Sequence, residues 1–149
     1  MTLPPLPESA IVIAAEAADW RAAVTLAGEA LARSGAARVG YSGEMIRMIE
    51  EHGPYVVIAP GLALAHARPG PEVLADGLSI VTLAEPVDFG HPYNDPVSVV
   101  LGLAVRTSSE HLAAVAAVAN VFNDSSAIAD LAAATSADEV QRIMGAVEV

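Results

Sequence analysis

Two periods of hydrophobicity run through this chain, one of about 3.6 residues and one of two, and they trade places several times. Trp20, Val24, Ala27 and Leu31 recur at helical spacing, with Asp19 ahead as a cap and Ser34-Gly35 as a stop. Ser42 is the expected cap of a second helix over Gly43 to His52, closed by Gly53-Pro54, with Met45, Ile46 and Ile49 on its apolar face. Five strands are expected. Ile11-Val12-Ile13 makes a short one, and Tyr55-Val56-Val57-Ile58 a β-branched one. Leu62 to Ala67 follows a Pro60-Gly61 turn, so it forms a hairpin or a bend with the run before it. Leu78 to Leu83 reads as a buried strand ended by Glu85-Pro86. The longest apolar run, Val97 to Val105, is a fifth strand and reads as central, covered on both faces. Ser108 or Ser109 then caps a helix over Glu110 to Phe122, with Leu112, Val115, Val118 and Phe122 inward. Asn123-Asp124-Ser125-Ser126 breaks it. Ala127 to Ala134 and a helix capped by Ser136, with Glu139 completing a capping box and Val140, Ile143 and Val147 inward, finish the chain. No repeat or linker interrupts this order. It predicts a single α/β domain over residues 1–149, a mixed sheet with helices on both faces, and a loose proline-rich arm over residues 1–8.

Composition narrows the picture. A chain of 149 residues supports one real core. Hydrophobic residues are 54% but aromatics only 4%, and alanine dominates, so packing must rely on close approach of small side chains. The absence of cysteine excludes disulfides, thiolate metal sites and a cysteine nucleophile. The net charge is -11, and all seven basic residues are scattered arginines, which leaves no footprint for nucleic acid. Such acidity favours a partner with a basic face, or simply keeps an alanine-rich chain in solution. No signal-peptide pattern opens the chain and no apolar run would span a bilayer, so a cytoplasmic protein without membrane insertion is expected. Oligomeric state is left open, since no apolar stripe demands a second copy.

The candidate chemistry gathers at histidines. In Ala59-Pro60-Gly61-Leu62-Ala63-Leu64-Ala65-His66-Ala67-Arg68-Pro69, residues two apart on a strand share a face, so His66 and Arg68 point the same way. A guanidinium there suits phosphate oxygens on a group carried by the imidazole. The plain alternative is a structural histidine with a surface arginine beside it. His111 falls in the first turn of a helix, just past the end of the central strand, where ligands gather in open α/β sheets and a helix N-terminus favours an anion. The loop Val87 to Pro96 carries His91, Asn94 and Asp95, either as chemistry or as turn formers. His52 reads as structural and Trp20 as a core anchor.

With these segments in place, the chain resembles the enzyme IIA domains of the bacterial phosphoenolpyruvate-dependent sugar phosphotransferase system, mannitol/fructose-type superfamily, and within it the ascorbate-type branch. Gly61 to Pro69 looks like that branch's phosphorylation-site motif. Asn94-Asp95-Pro96-Val97, Glu110-His111-Leu112 and Ala119-Asn120-Val121-Phe122-Asn123-Asp124 fall where the family has similar segments. The likeness runs from about Trp20 to the C-terminus. Two departures stand out. Ala65 replaces the proline that the family usually places before its active histidine, and Met48 takes the place of a helix arginine used by the mannitol branch. Arg47 is one residue off, about 100° around the helix.

The resemblance implies a mannitol-type enzyme IIA fold and a phosphohistidine carrier that needs no cofactor or metal. His66 would accept phosphoryl from the carrier protein HPr and pass it to a cysteine of an enzyme IIB, which serves a membrane permease IIC during sugar uptake, ascorbate being the sugar of the matching branch. His111 would be the second active-site histidine and Arg68 the phosphate partner. A backbone carbonyl or Asp95 would orient the His66 ring. Two rival functions are a regulatory enzyme IIA-like binding module and a metal-dependent hydrolase using His66, His91, His111 and Asp95, although these spacings match no standard zinc motif.

Overall fold

The computed structural model describes residues 3–124 and 126–145. Five strands form one mixed sheet: β1 (Ile11–Ala15), β2 (Val57–Ala59), β3 (Leu62–His66), β4 (Gly77–Val87) and β5 (Val97–Ala104), in the order β1-β4-β5-β3-β2. β5 is central, antiparallel to β4 and parallel to β3, while β2 and β3 make the expected hairpin. Helices α1 (Trp20–Arg33) and α2 (Tyr41–His52) cover one face. Helices α3 (Ser108–Val121), α4 (Ala127–Ala133) and α5 (Ala137–Met144) cover the other. The result is a three-layer α/β/α architecture, as the pattern of periods predicts.

Strand alternation builds two cores from one sheet. Leu62, Leu64, Leu78, Ile80, Val99, Leu101 and Leu103 face the α3–α5 layer. Ala63, Ala65, Val81, Val97, Val100 and Ala104 face α1 and α2. The second face is built from smaller residues, and α1 sits close against it. Ser79 Oγ donates to the Ala27 carbonyl at 2.8 Å, and Gly102 leaves the room for that approach. Where Gly28 of α1 passes Ser42 of α2, a methyl would again meet the serine side chain. The low aromatic content thus translates into short distances between layers.

Several boundaries differ from expectation. α2 starts at Tyr41 with Gly40 as its cap, and Ser42 is a buried residue inside the helix. Thr107, not Ser108 or Ser109, caps α3, accepting from the Glu110 amide at 3.2 Å. β4 runs through Glu85-Pro86 to Val87, because its register with β5 shifts between Thr82 and Val87 and proline is tolerated at such an irregularity. Tyr55 and Val56 precede β2 and are not strand residues. Leu112 is 73% exposed, and Ala114, Ala117 and Val118 are the buried residues of α3. Residues 3–8 are docked and not loose: Leu6 is fully buried, its carbonyl accepts from Gln141 Nε2 at 2.9 Å, and the Pro5 carbonyl accepts from the Leu78 amide. The hydrophobic residue in that proline-rich stretch had a place to go beside β4. Met1, Ser125 and Val147 lie outside the described residues.

Candidate active site

β3 carries His66 at its last position. The parity of the strand points it to the side of Leu62 and Leu64, the side occupied by α3. Register pairs His66 with Leu103, and the chain leaves β5 one residue later to enter α3 through the Thr107 cap. This brings His111, in the first turn of α3, over the end of β3. The two imidazole rings lie 5.0 Å apart between centroids. Tyr55 also packs against His66, its ring perpendicular to the imidazole at 5.6 Å, and His52 stands edge-on to Tyr55 at 6.3 Å.

These groups line a pocket of about 720 Å³ together with Met48, Arg68, Ser108 and Leu112. His66 Nδ1 lies 2.8 Å from the Leu64 carbonyl oxygen. A carbonyl only accepts, so Nδ1 carries the proton and Nε2 of the neutral ring keeps its lone pair. Burial pushes the His66 pKa down, the Leu64 hydrogen bond acts against this, and His111 adds a further lowering. Burial also lowers the pKa of His111, whose Nδ1 is buried without a hydrogen-bond partner among the described residues. Both rings are therefore biased towards the uncharged form. Positive potential comes from the exposed Arg68 and from the N-terminal end of α3.

The expected residues divide cleanly. His66, Arg68 and His111 come together in one pocket. Asp95 does not join them. Its carboxylate accepts from the amides of Phe89, Gly90 and His91 at 2.7–3.1 Å, and the backbone alternative, the Leu64 carbonyl, holds His66 instead. His91 Nδ1 accepts from the amides of Tyr93 and Asn94, so this loop ties itself together. It precedes β5, whose start pairs with Leu62, whereas His66 pairs with Leu103 at the other end of the ladder. The hydrolase constellation is thus split between opposite ends of the sheet. Among the described residues, no group of three or more His, Cys, Asp or Glu side chains is placed to hold a metal ion. Arg47 pairs with Glu44 at 3.2 Å, while Met48 lines the pocket.

Sequence reasoning passed over Tyr55 and His52. The hairpin held part of the signal: Ala59 pairs with Leu62 across the Pro60-Gly61 turn, which brings the residues before β2 back towards the end of β3, although the register shifts before Val57, which pairs with Ala63. Nothing comparable marks His52, which reaches the pocket only because α2 ends beside it.

A histidine with a free ring nitrogen, an arginine and a helix N-terminus around one pocket describes an anion-handling site without naming its chemistry. The family model for the phosphoenolpyruvate-dependent sugar phosphotransferase system, EIIA 2, matches residues 5–146. The chain belongs to this family. It is therefore a phosphotransferase component, a phosphoryl carrier in a sugar phosphotransferase system. The ascorbate-specific EIIA component of Salmonella choleraesuis is 35% identical over 133 residues, which cover 89% of this chain and 86% of the relative. A solved EIIA domain from Streptococcus pyogenes superposes with a TM-score of 0.84 at 33% identity, over 93% of this chain and 89% of that one. The mannitol EIIA of Escherichia coli, solved in complex with its phosphorylated enzyme IIB, superposes with a TM-score of 0.82 at 27% identity, over 92% and 94% of the two chains. EIIA proteins of this fold thus meet an EIIB partner. No helix among the described residues is long and apolar enough to cross a membrane.

Proposed function

We propose that His66 is the phosphoryl acceptor of this EIIA protein and that its Nε2 is the nucleophile. One observation carries the reading: the 2.8 Å contact of Nδ1 with the Leu64 carbonyl commits the other nitrogen's lone pair to the pocket. The Nε2 lone pair attacks phosphorus in line as the bond to the donor's phosphoryl-bearing nitrogen breaks. The electron pair of that bond returns to the leaving imidazole. The phosphoryl group then leaves His66 by the same route in reverse, to an acceptor thiolate on EIIB. Phosphoryl transfer of this kind is loose and rich in charge, so the protein positions groups and stabilises charge. Arg68 and the α3 N-terminus supply that stabilisation. His111, kept uncharged, offers a hydrogen-bond donor to the phosphoryl oxygens without holding them as firmly as a cation would.

The donor in this reading is HPr, and the acceptor is an EIIB that serves an ascorbate-type permease. The ascorbate assignment rests on the relatives of about 35% identity, because the pocket meets proteins and not the sugar. Incubation with phosphoenolpyruvate, enzyme I and HPr, read by intact mass, adds one acid-labile phosphate to the wild type and none to His66→Ala. A fully labelled His66→Ala protein removes His66 from the role.

A further inference from the structure

We infer that the buried hydroxyl of Tyr41 is a positioning device for His66, standing in the β3–β5 ladder at the rung that follows the histidine. The Val99 amide donates to the Gly61 carbonyl at 3.1 Å, which sets the phase of the parallel ladder. In a parallel pair, alternate residues of one strand bond through both their N–H and their C=O, so Val99, Leu101 and Leu103 are the bonding residues of β5. The rung after His66 would then join the Ala67 N–H to the Leu103 carbonyl. Tyr41 occupies that rung. Its Oη accepts from the Ala67 N–H at 3.1 Å and donates to the Leu103 carbonyl at 2.7 Å. Tyr41 is 1% exposed, so all three groups are satisfied where water does not reach. Burial raises its pKa to about 12, so the hydroxyl keeps the proton that it gives to Leu103 throughout the physiological range.

The consequence reaches the imidazole. A direct rung would draw Ala67 against β5 and carry the strand onward. The inserted hydroxyl holds the strands one oxygen further apart, ending β3 at His66 while keeping its backbone fixed on both sides. Leu64, whose carbonyl holds the imidazole, lies two residues before the histidine, and Arg68 follows one residue after the clamped amide. Tyr41 touches neither the ring nor any phosphoryl group. It acts by fixing the backbone from which both His66 and Arg68 project.

Three readouts test this. In the wild type, the Ala67 amide should resist hydrogen exchange like a strand residue although it lies outside β3; exchange as fast as that of Arg68 overturns the inference. In Tyr41→Phe, which keeps the ring in the core, ¹⁵N shifts of the His66 imidazole should move from a single Nδ1–H tautomer towards a mixture. A wild-type pattern in the variant overturns it. Phosphoryl acceptance by Tyr41→Phe should fall about 10-fold in kcat with an unchanged KM for phosphorylated HPr. Leu131→Ala, which loosens the opposite core, should keep the wild-type tautomer and kcat. Equal losses in both variants reduce Tyr41 to a packing residue. The kinetic readout rests on the function proposed above, whereas exchange and tautomer do not, so a wild type that accepts no phosphate would sink that proposal and leave this inference standing on the other two.

Discussion

At the scale of single residues, the proposed function rests on an imidazole kept neutral. Burial lowers the pKa of His66, and that of His111 too. Acceptance of phosphoryl requires the neutral ring, so a depressed pKa preserves reactivity as the solution acidifies. The acid limb of phosphoryl acceptance should therefore lie below pH 6.5, the ordinary histidine value, and an NMR titration of the His66 ring should give a midpoint on the same side. A midpoint at or above 6.5 contradicts the burial argument. The linkage has the same sign: below 6.5 the unfolded chain binds protons that the folded chain refuses, so the contribution of these rings to stability is complete above that pH and declines as pH falls towards the folded values. The gathering of His66 and Arg68 in one pocket was legible from strand parity, and that of His111 from its place at a helix start together with the family resemblance. Asp95 was misjudged, since nothing local says whether a loop carboxylate will turn to a distant histidine or to the three amides behind it.

At the scale of elements, the close fit of α1 to the sheet depends on small side chains at facing positions. A methyl on Gly102 would fall on Ser79 Oγ and within 3.2 Å of the Ala27 carbonyl. Gly102→Ala should therefore destabilise the fold by about 1–3 kcal/mol, seen as a lower midpoint in urea with an unchanged slope. An unchanged midpoint would mean that α1 rides higher than these distances imply. α1 itself was readable, because period and cap agree: Asp19 accepts from the Ala22 amide at 2.9 Å, as its position before Trp20 predicts. α3 was readable as a helix but not in its rotation. Alanine and valine run nearly all round it, so spacing alone chose Leu112 for the core, and the structure places that residue at the pocket rim. β4 outlasted Pro86 because a register irregularity, invisible to pattern, removes the need for a ladder bond there. The Tyr41 contact was equally hidden, being made between residues 26 and 62 positions apart in the chain.

At the scale of the whole molecule, a net charge of -11 surrounds a site whose own potential is positive. Glu44, Glu51 and Glu72 line the groove that adjoins the pocket along Arg68. Under the proposed function, a donor protein with a basic face would be steered in by the molecule, while its phosphoryl group would be received by the pocket. The association rate with phosphorylated HPr should fall as salt rises from 0.01 to 0.15 M, which shortens the screening length from about 30 to about 8 Å. A salt-independent stopped-flow rate would deny the charge any part in the encounter. The loop from Val87 to Pro96, held at the opposite end of the sheet, is remote from this traffic. His66 itself packs against both Tyr55 and His111 in the pocket, and one ring nitrogen is already committed to the Leu64 carbonyl. For a carrier that works through this ring, the protein that loads it and the protein that empties it must queue for the same berth. Throughput is then set by the slower turnover at that berth, and an idle acceptor in excess becomes an inhibitor of loading.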